Sequence, residues 1–335
     1  MAAITTSRLP DTSHPIPIRH FIAIIFIGLI TTAGFAQKNL YVALSNSKGY
    51  VVGAKLQQSG IFRYDQDSTW AHIGWNHPGI MGLAFADEAN GTIHAAAGNG
   101  EMRSFDGGAT WKITTGWDVT ESQHIVLDRT DKNRVYLATA YGIWISQDEG
   151  DTWKQVHDDF TQALVSDVSS DRRVIAATEH GLLLTDNGGE TWKLVGPEAA
   201  MIDVGQSQSR PLEWIAGSRT EGILRSSDGG LSWTPALALD SSAAGVSIDP
   251  NDFRRQAVVT WGDGIHVSQD GGESWSRRSG LPTAYLVETI FDANMTGRLW
   301  VATREEGIFY TDDLGATWAY AGFTGTMVYD MVFAP

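Results

Sequence analysis

An eight-residue pattern recurs along the chain at a nearly constant interval, and this repeat limits the possible folds more than any other feature of the sequence. Its copies are SFDGGATW, SQDEGDTW, TDNGGETW, SSDGGLSW, SQDGGESW and TDDLGATW, which end at Trp111, Trp153, Trp192, Trp233, Trp275 and Trp318, and a degenerate copy, RYDQDSTW, which ends at Trp70. Successive tryptophans are 41, 42, 39, 41, 42 and 43 residues apart. A fixed period of this length is typical of repeat architectures, in which each unit packs on its neighbours. Seven units fill the chain and leave no room for a second folded domain.

Each repeat contains the same succession of short strand-like segments. The third repeat reads HIVLD, RVYLAT, GIWIS and, after the eight-residue pattern, WKQVH, with turn residues between these segments. Short runs rich in β-branched and aromatic residues and bounded by Gly, Asp and Asn predict strands. Four such strands form an antiparallel meander, and a radial array of meanders is a β-propeller. We therefore predict an all-β fold, a single seven-bladed β-propeller with four-stranded antiparallel blades.

The two ends of the repeat region predict how the ring closes. The segment NLYVAL, which begins at Asn39, matches the second strand of a repeat, whereas TMVYDMVFA, which begins at Thr326, matches a first strand. The C-terminal strand can therefore pair into the N-terminal blade and complete it. Closure of the ring would remove sheet edges that otherwise invite aggregation.

The repeated pattern, Ser/Thr-x-Asp-x-Gly-x-Thr/Ser-Trp, resembles the Asp-box, or BNR, repeat. That repeat is found in sialidases, xyloglucan-active glycosidases, sortilin-type receptors and the photosystem II assembly factor propellers. The resemblance covers essentially all of the chain after the N-terminal segment. It implies the propeller fold and leaves the function open, because these relatives include both enzymes and binding proteins.

The pattern, called the box below, lies between the third and fourth strands of each repeat and therefore predicts a tight hairpin turn. Its acidic residue can accept hydrogen bonds from N–H groups of the turn, and its fifth position, glycine, suits a positive φ. We expect its tryptophan to be buried between neighbouring blades. A calcium loop is disfavoured, because such loops need several oxygen ligands and a glutamate at the twelfth position, whereas each box supplies one carboxylate as a rule. No metal site is predicted.

The N-terminal 36 residues have the features of a secretory signal peptide. An apolar run follows Arg19 and ends in the residues GFA, which place small side chains at the −3 and −1 positions of a cleavage site before Gln37. The run is short for a membrane span, which needs about 20 apolar residues, so an uncleaved anchor is the less favoured alternative. We expect residues 1–36 to be a signal peptide and residues 37–335 to be the propeller. The protein would then be exported to the periplasm or the extracellular space, without a stable membrane span after cleavage.

The charge of the chain argues against one class of partner. The formal net charge is −15, and removing Arg8, Arg19 and Asp11 with the signal peptide leaves 22 − 38 = −16. Such a surface repels nucleic acid and anionic lipid. The chain has no cysteine, which excludes disulfides, thiolate metal sites and cysteine nucleophiles.

Strand order predicts two faces of the ring. The boxes and the turns between first and second strands lie on one side, the box face. The turns between second and third strands and the connections between blades lie on the other side, the connection face, where propeller ligands usually bind by analogy with the fold. Candidate ligand-binding residues there are Trp75, His77, Trp117, Tyr141, His180, Arg219, Trp261, Tyr285 and Arg304. Residues 45–60, an expanded turn of the first blade, could form a flap over the channel mouth, whereas Trp144, Trp214 and Trp300 lie within strands and are expected in the core.

The propeller fold is compatible with three classes of function. Sialidase-type hydrolysis is disfavoured, because the sequence has no Arg-Ile-Pro motif and only Arg219 and Arg304 are placed for the arginine triad that this resemblance implies. A glycoside hydrolase or lyase would need two carboxyl groups about 5–5.5 Å apart for retention or about 6.5–9.5 Å apart for inversion. Glu221, Asp263 and Glu305 are the weak candidates for such a pair.

The sequence contains no nucleophile–base spacing and no cofactor motif. We therefore expect a non-catalytic binding or assembly scaffold for a protein or glycan ligand, working without a cofactor. A glycan-active enzyme is the alternative. Among the families that share the Asp-box repeat, xyloglucan-active enzymes place their cleft between two tandem propellers. This chain has repeats for one propeller.

Overall fold

The computed structural model describes residues 37–46, 59–65, 67–87 and 91–334, so the predicted signal peptide and most of the 45–60 turn lie outside the described residues. Within these ranges the chain forms 28 strands and no helix, and hence no helix that could cross a membrane. The strands are β1 (Leu40–Asn46), β2 (Gly60–Tyr64), β3 (Trp70–Ile73), β4 (Ile80–Asp87), β5 (Thr92–Ala97), β6 (Gly100–Ser104), β7 (Lys112–Ile113), β8 (Ser122–Leu127), β9 (Val135–Thr139), β10 (Gly142–Ser146), β11 (Lys154–His157), β12 (Thr161–Ser166), β13 (Val174–Thr178), β14 (Gly181–Thr185), β15 (Lys193–Leu194), β16 (Met201–Gln206), β17 (Trp214–Ser218), β18 (Ile223–Ser226), β19 (Thr234–Leu237), β20 (Ala243–Ile248), β21 (Gln256–Thr260), β22 (Ile265–Ser268), β23 (Ser276–Arg278), β24 (Leu286–Phe291), β25 (Leu299–Thr303), β26 (Ile308–Thr311), β27 (Ala319–Gly322) and β28 (Thr326–Phe333).

These strands form seven separate four-stranded antiparallel sheets, as predicted. Blade 1 has the order β28-β1-β2-β3, and blades 2 to 7 are built from consecutive strands, from β4–β7 to β24–β27. The C-terminal strand pairs with β1 from Leu40 opposite Phe333 to Asn46 opposite Thr326, which confirms the predicted closure. Each innermost strand contacts the innermost strand of the next blade, and β28 contacts both β24 and β4, so the ring is complete.

Every innermost strand carries a β-bulge, at the second residue of the strand in blades 2 to 7 and midway along β28 in blade 1. The ladder to the second strand skips one residue, as between Leu286 and Glu288 in blade 7, and a bulge of this kind places two consecutive side chains on the same side of a strand. The skipped residues are Met81, Gln123, Gln162, Ile202, Ala244, Val287 and Tyr329. All seven line the central channel.

The hydrophobic core lies between neighbouring blades. Ile175 and Leu184 of blade 4, for example, pack in one cluster with Met201 and Trp214 of blade 5. The tryptophans predicted in the core are buried: Trp144, Trp214 and Trp300 are 9%, 1% and 1% exposed. Each blade therefore depends on its neighbours for burial of its apolar faces, as expected for a repeat architecture.

The boxes form the predicted turns between the third and fourth strands. In blade 6, Asp270 Oδ1 accepts the N–H of Ser274 at 2.9 Å, and Oδ2 accepts the Ser274 hydroxyl at 2.6 Å. The Ser268 hydroxyl donates to Asp270 Oδ1 at 2.8 Å and accepts the N–H of Gly272 at 2.9 Å. The hydrogen bond from the Ser274 hydroxyl, with the N–H bonds and that from Ser268, lowers the pKa of Asp270 to about 2. The carboxylate is therefore a permanent acceptor of its own turn above acidic pH.

The box glycines serve two purposes. Their φ angles lie between 79° and 95°, a region that disfavours side chains. Five of the six also touch the preceding blade: a Cβ at Gly189 would lie 2.0 Å from Ile145 Cδ1, and one at Gly230 would lie 2.2 Å from Ile175 Cδ1. The turn can therefore pack against its neighbour only where no side chain intervenes.

The box tryptophans depart from the sequence prediction. They pack between neighbouring blades, but each is half-buried. In four boxes the indole N–H donates to the carbonyl of the box glycine, at 2.8–3.2 Å. Because this hydrogen bond holds one edge of the ring at the surface of the turn, these tryptophan side chains are not fully buried.

The box turn gives a direct stability prediction. Asp270→Ala removes the acceptor of three hydrogen bonds and should lower the melting temperature by about 2–4 °C without changing ligand binding. Asp270→Asn is the matched control, because Asn187 in blade 4 shows how an amide fits: its Oδ1 accepts the Thr191 N–H and its Nδ2 donates to the Thr191 hydroxyl. Thermal unfolding with and without calcium checks this prediction. A calcium-dependent melting temperature that Asp270→Ala removes would show that the box is a metal site.

Candidate functional site

The connection face carries most of the exposed aromatic side chains. Trp117 is fully exposed there, and the other four predicted aromatic residues, Trp75, Tyr141, Trp261 and Tyr285, are 53–59% exposed. These five belong to different turns and connections around the ring. The structure therefore offers solvent a series of separate aromatic rings on this face.

Trp261 and Tyr285 form the best-defined pair in this series. They face each other in an antiparallel β-bridge between the blade 6 turn and the connection to blade 7, and residues directly opposite in such a bridge project on the same side. The Trp261 N–H donates to Ser242 O at 3.1 Å, and the Arg304 N–H donates to Tyr285 O at 2.9 Å. A Cβ at Gly262 would lie 3.8 Å from the Tyr285 ring. The two rings thus stand on a backbone fixed by both neighbouring blades, and we call the pair the aromatic platform.

The platform adjoins the central channel. Trp261 lines a cavity of about 630 Å³ whose other walls are the innermost strands of the blades. The side chains that line it are a mixture of apolar residues, glutamine amides and carboxyl groups. A ligand on the platform would therefore sit beside the channel.

Two polar pairs occupy the connection face, one where the chain enters blade 4 and one between blades 4 and 5. His180 Nδ1 lies 2.7 Å from Asp159 Oδ1, and this hydrogen bond, with the charge of Asp159, raises the pKa of His180. Arg219 Nη2 lies 3.5 Å from Glu179 Oε2. Two predicted ligand residues, His180 and Arg219, are thus each paired with a neighbouring acid.

The three carboxylate candidates occupy consecutive blades. Asp263 is held by His266 Nε2 at 2.9 Å and by Arg277 Nε at 3.2 Å. Glu221 accepts a long hydrogen bond, at 3.4 Å, from the Thr220 hydroxyl, and Glu305 stands in a turn at a φ of 74°. In the described chain no hydrogen bond joins any two of them.

Two of the remaining predicted residues, His77 and Tyr141, have local partners. His77 lies beside Trp75, with ring centroids 5.6 Å apart, and burial lowers the pKa of His77. The Tyr141 hydroxyl donates to Glu121 Oε1 at 3.1 Å. Across the described ranges, no group of three or more His, Asp or Glu side chains is arranged to hold a metal ion.

Four titratable residues of the channel were not predicted from the sequence. Asp203, Glu288, Asp330 and His124 each follow the bulge residue of an innermost strand, in MIDV, LVET, VYDM and SQHI. The sequence did contain one sign of these residues, because each is a charged or polar residue at the equivalent position of a mainly apolar first strand. Alternation alone could not assign them to the channel, because the bulge changes the register.

Comparisons with known proteins agree with this architecture. The family described as Sortilin, neurotensin receptor 3 (Sortilin-Vps10) matches residues 101–222, about a third of the chain. A probable oligoxyloglucan-reducing end-specific xyloglucanase of Neosartorya fischeri is 28% identical over 113 residues, which is 32% of this chain and 13% of that relative. The chain therefore spans a small part of that curated relative.

Solved structures show the same fold. The GH74 xyloglucanase from Xanthomonas campestris superimposes with a TM-score of 0.67 at 17% identity, covering 85% of this chain and 53% of that chain. A structure of YCF48 bound to a D1 peptide gives a TM-score of 0.57 at 18% identity, covering 74% of this chain and 82% of that chain. The class of protein is thus a seven-bladed β-propeller, similar both to glycoside hydrolases and to a protein that binds a peptide.

Proposed function

We propose that the protein is an exported, non-catalytic binding propeller that holds a glycan chain on its connection face. The observation that carries this proposal is the aromatic platform, Trp261 and Tyr285, which is exposed and rigidly supported at the channel mouth. Aromatic side chains present a large apolar surface with specific geometry. A sugar ring can stack on such a surface while its hydroxyl groups bond to polar groups at the rim.

The distribution of the aromatic residues favours a glycan over a protein ligand. A protein interface is built around a contiguous, desolvated apolar centre. Here the exposed rings are spread over different blades, with charged pairs such as His180–Asp159 and Arg219–Glu179 between them. A chain of sugar units fits a spaced series of rings better than a compact protein surface does. The similarity to xyloglucanases supports the same ligand class.

Glycan hydrolysis is the second candidate function, and the xyloglucanase similarity is the observation that favours it. Asp263 is the candidate carboxylate nearest to the platform in sequence, but its two oxygens are engaged by His266 and Arg277. Turnover of a bound glycan that Asp263→Asn or Glu221→Gln abolishes would establish the enzymatic alternative.

The platform predicts the effect of single substitutions on binding. A glycan array with residues 37–335 would select a ligand, and calorimetry would measure its affinity. Trp261→Ala and Tyr285→Ala should each weaken binding about tenfold or more, which corresponds to about 1.4 kcal/mol. Phe105→Ala is the matched control, because Phe105 is 55% exposed but lies in a box on the opposite face.

Two results would contradict this proposal. Equal affinities of the Trp261→Ala and Phe105→Ala variants would place the site elsewhere. If the connection face captured a protein and no glycan bound on the array, the ligand would be a protein and not a glycan. Export is tested separately: N-terminal sequencing of the protein from the culture medium or the periplasm should begin at Gln37.

A further inference from the structure

Three acidic residues line the central channel, where the described residues include no compensating cation. Asp203 of β16, Glu288 of β24 and Asp330 of β28 occupy the same position, directly after the bulge, in blades 5, 7 and 1. The other titratable side chains that line the channel are His124 and Tyr329. No lysine or arginine lines it among the residues described. The charge state of the channel therefore depends on these five groups.

Two of the carboxyl groups join neighbouring blades. Asp330 Oδ2 accepts the N–H of Leu83 at 2.7 Å, across the boundary between blades 1 and 2. Asp203 Oδ2 accepts the N–H of Val246 at 2.8 Å, across the boundary between blades 5 and 6. Because the seven sheets are separate, these side chains provide hydrogen bonds that the strand ladders do not.

His124 makes the same kind of connection in blade 3, where its Nδ1 accepts the N–H of Leu164 at 3.3 Å. Glu288 differs, since its Oε1 accepts the N–H of the adjacent Thr289 at 2.7 Å. Its side chain lies against Gly245 of blade 6, where a Cβ would be 3.1 Å from Oε1. Glu288 thus adds charge to the channel without tying two blades together.

We propose that these channel carboxyl groups form a pH-sensitive latch: when they lose their protons, their like charges repel one another in the shared cavity and weaken the contacts between blades. The joint most affected is that between blades 1 and 2, because Asp330 belongs to the C-terminal strand that closes the ring. A carboxylate at this place has no lysine or arginine beside it among the described channel residues, and it shares the cavity with two further acids. This proposal does not depend on the ligand of the connection face.

The direction of the pKa shifts agrees with this geometry. Burial raises the pKa of Asp330 to about 7 and that of Asp203 to about 6. Burial, together with the charges of Asp203 and Asp330, raises the pKa of Glu288 well above its ordinary value. Burial lowers the pKa of His124 to about 4.

These shifts define the pH window of the latch. A carboxyl group whose pKa is raised in the folded state contributes stability below its unfolded pKa, about 4, and that stability is lost as the pH rises through the folded pKa. His124 acts in the opposite sense, because its contribution is lost as the pH falls from about 6.5 to 4. Three carboxyl groups outweigh one imidazole, so stability should fall as the pH rises from 5 to 8.

Thermal unfolding of the full propeller at a series of pH values tests this proposal. The melting temperature at pH 8 should be lower than at pH 5, by on the order of 5 °C. Asp330→Asn keeps an oxygen that can accept the Leu83 N–H but cannot ionise, and it should reduce this pH dependence. Hydrogen exchange adds a local readout: at pH 8 the Leu83 amide should be protected about tenfold more in Asp330→Asn than in the native chain.

Two variants keep the experiment decisive. Glu288→Gln removes one channel charge without touching an inter-blade hydrogen bond and should also flatten the pH dependence. Asp240→Asn, at an exposed position of the connection between blades 5 and 6, should leave it unchanged. The proposal is overturned if the native melting temperature is constant or rises from pH 5 to 8, or if the two channel variants behave like Asp240→Asn.

Discussion

Deleting residues 326–335 is expected to abolish cooperative folding of the propeller. The deletion removes β28, so blade 1 loses its innermost strand and β1 becomes an open sheet edge. It also removes Val328 and Met331 from the cluster that they form with Val42, Phe62 and Trp300. Loss of a buried aliphatic side chain costs about 2–5 kcal/mol. The free energy lost with two such side chains and a whole strand is therefore comparable to the entire stability of a typical domain, about 5–15 kcal/mol.

A rearranged chain provides the control for this deletion. The end of β28 lies beside the start of β1, with the Ala334 N–H donating to Asn39 O at 3.0 Å. Placing residues 326–334 before residue 39 through a short turn would therefore restore blade 1 as a continuous meander. Near-UV circular dichroism and thermal unfolding should show native behaviour for this chain and its loss for the deletion. A deletion variant that unfolds like the native chain would show that β28 is dispensable.

Trp300→Ala is expected to cause the largest loss of stability among single substitutions of the aromatic residues. The Trp300 ring is packed against Tyr64 and Tyr310, with centroids 4.9 and 5.0 Å away, and only 1% of the residue is exposed. Its indole N–H donates to Asp292 Oδ2 at 3.0 Å. Truncation should cost about 3–5 kcal/mol, because it leaves a cavity between blades 7 and 1 and removes a donor from a buried carboxylate.

The matched control is Trp117→Ala, which removes the same side chain from a fully exposed position. Its effect on the free energy of unfolding should stay within about 0.5 kcal/mol. Urea unfolding of both variants measures the difference. Similar losses for the two variants would mean that burial does not control the role of these tryptophans.

The sequence predicted those parts of the molecule that depend on local chemistry repeated at a fixed interval. Asp270 and Gly272 encode the box turn within a few residues, and six such turns together with the degenerate copy ending at Trp70 count the seven blades. The ring closure followed from comparing the two ends with the same repeat. These features need no knowledge of contacts between distant residues.

The parts that could not be predicted depend on register and on distant partners. Glu288 lies in an apolar strand, and only the bulge before it shows which way the strand alternates. The engagement of Asp263 by Arg277, 14 residues later in the chain, leaves no trace in the repeat pattern. In four boxes the half-buried tryptophan likewise donates a hydrogen bond to its own turn, which residue type alone does not reveal.

The bulges of the innermost strands have an evolutionary consequence. Each blade contributes one bulge residue to the channel, from Met81 in blade 2 to Tyr329 in blade 1. These residues are left out of the ladder to the second strand, so their replacement spares that pairing. Mutation can therefore change the side chains that line the channel one blade at a time, while the strand pairing of each blade stays the same. A duplicated, initially uniform ring could in this way acquire seven different side chains around a single opening.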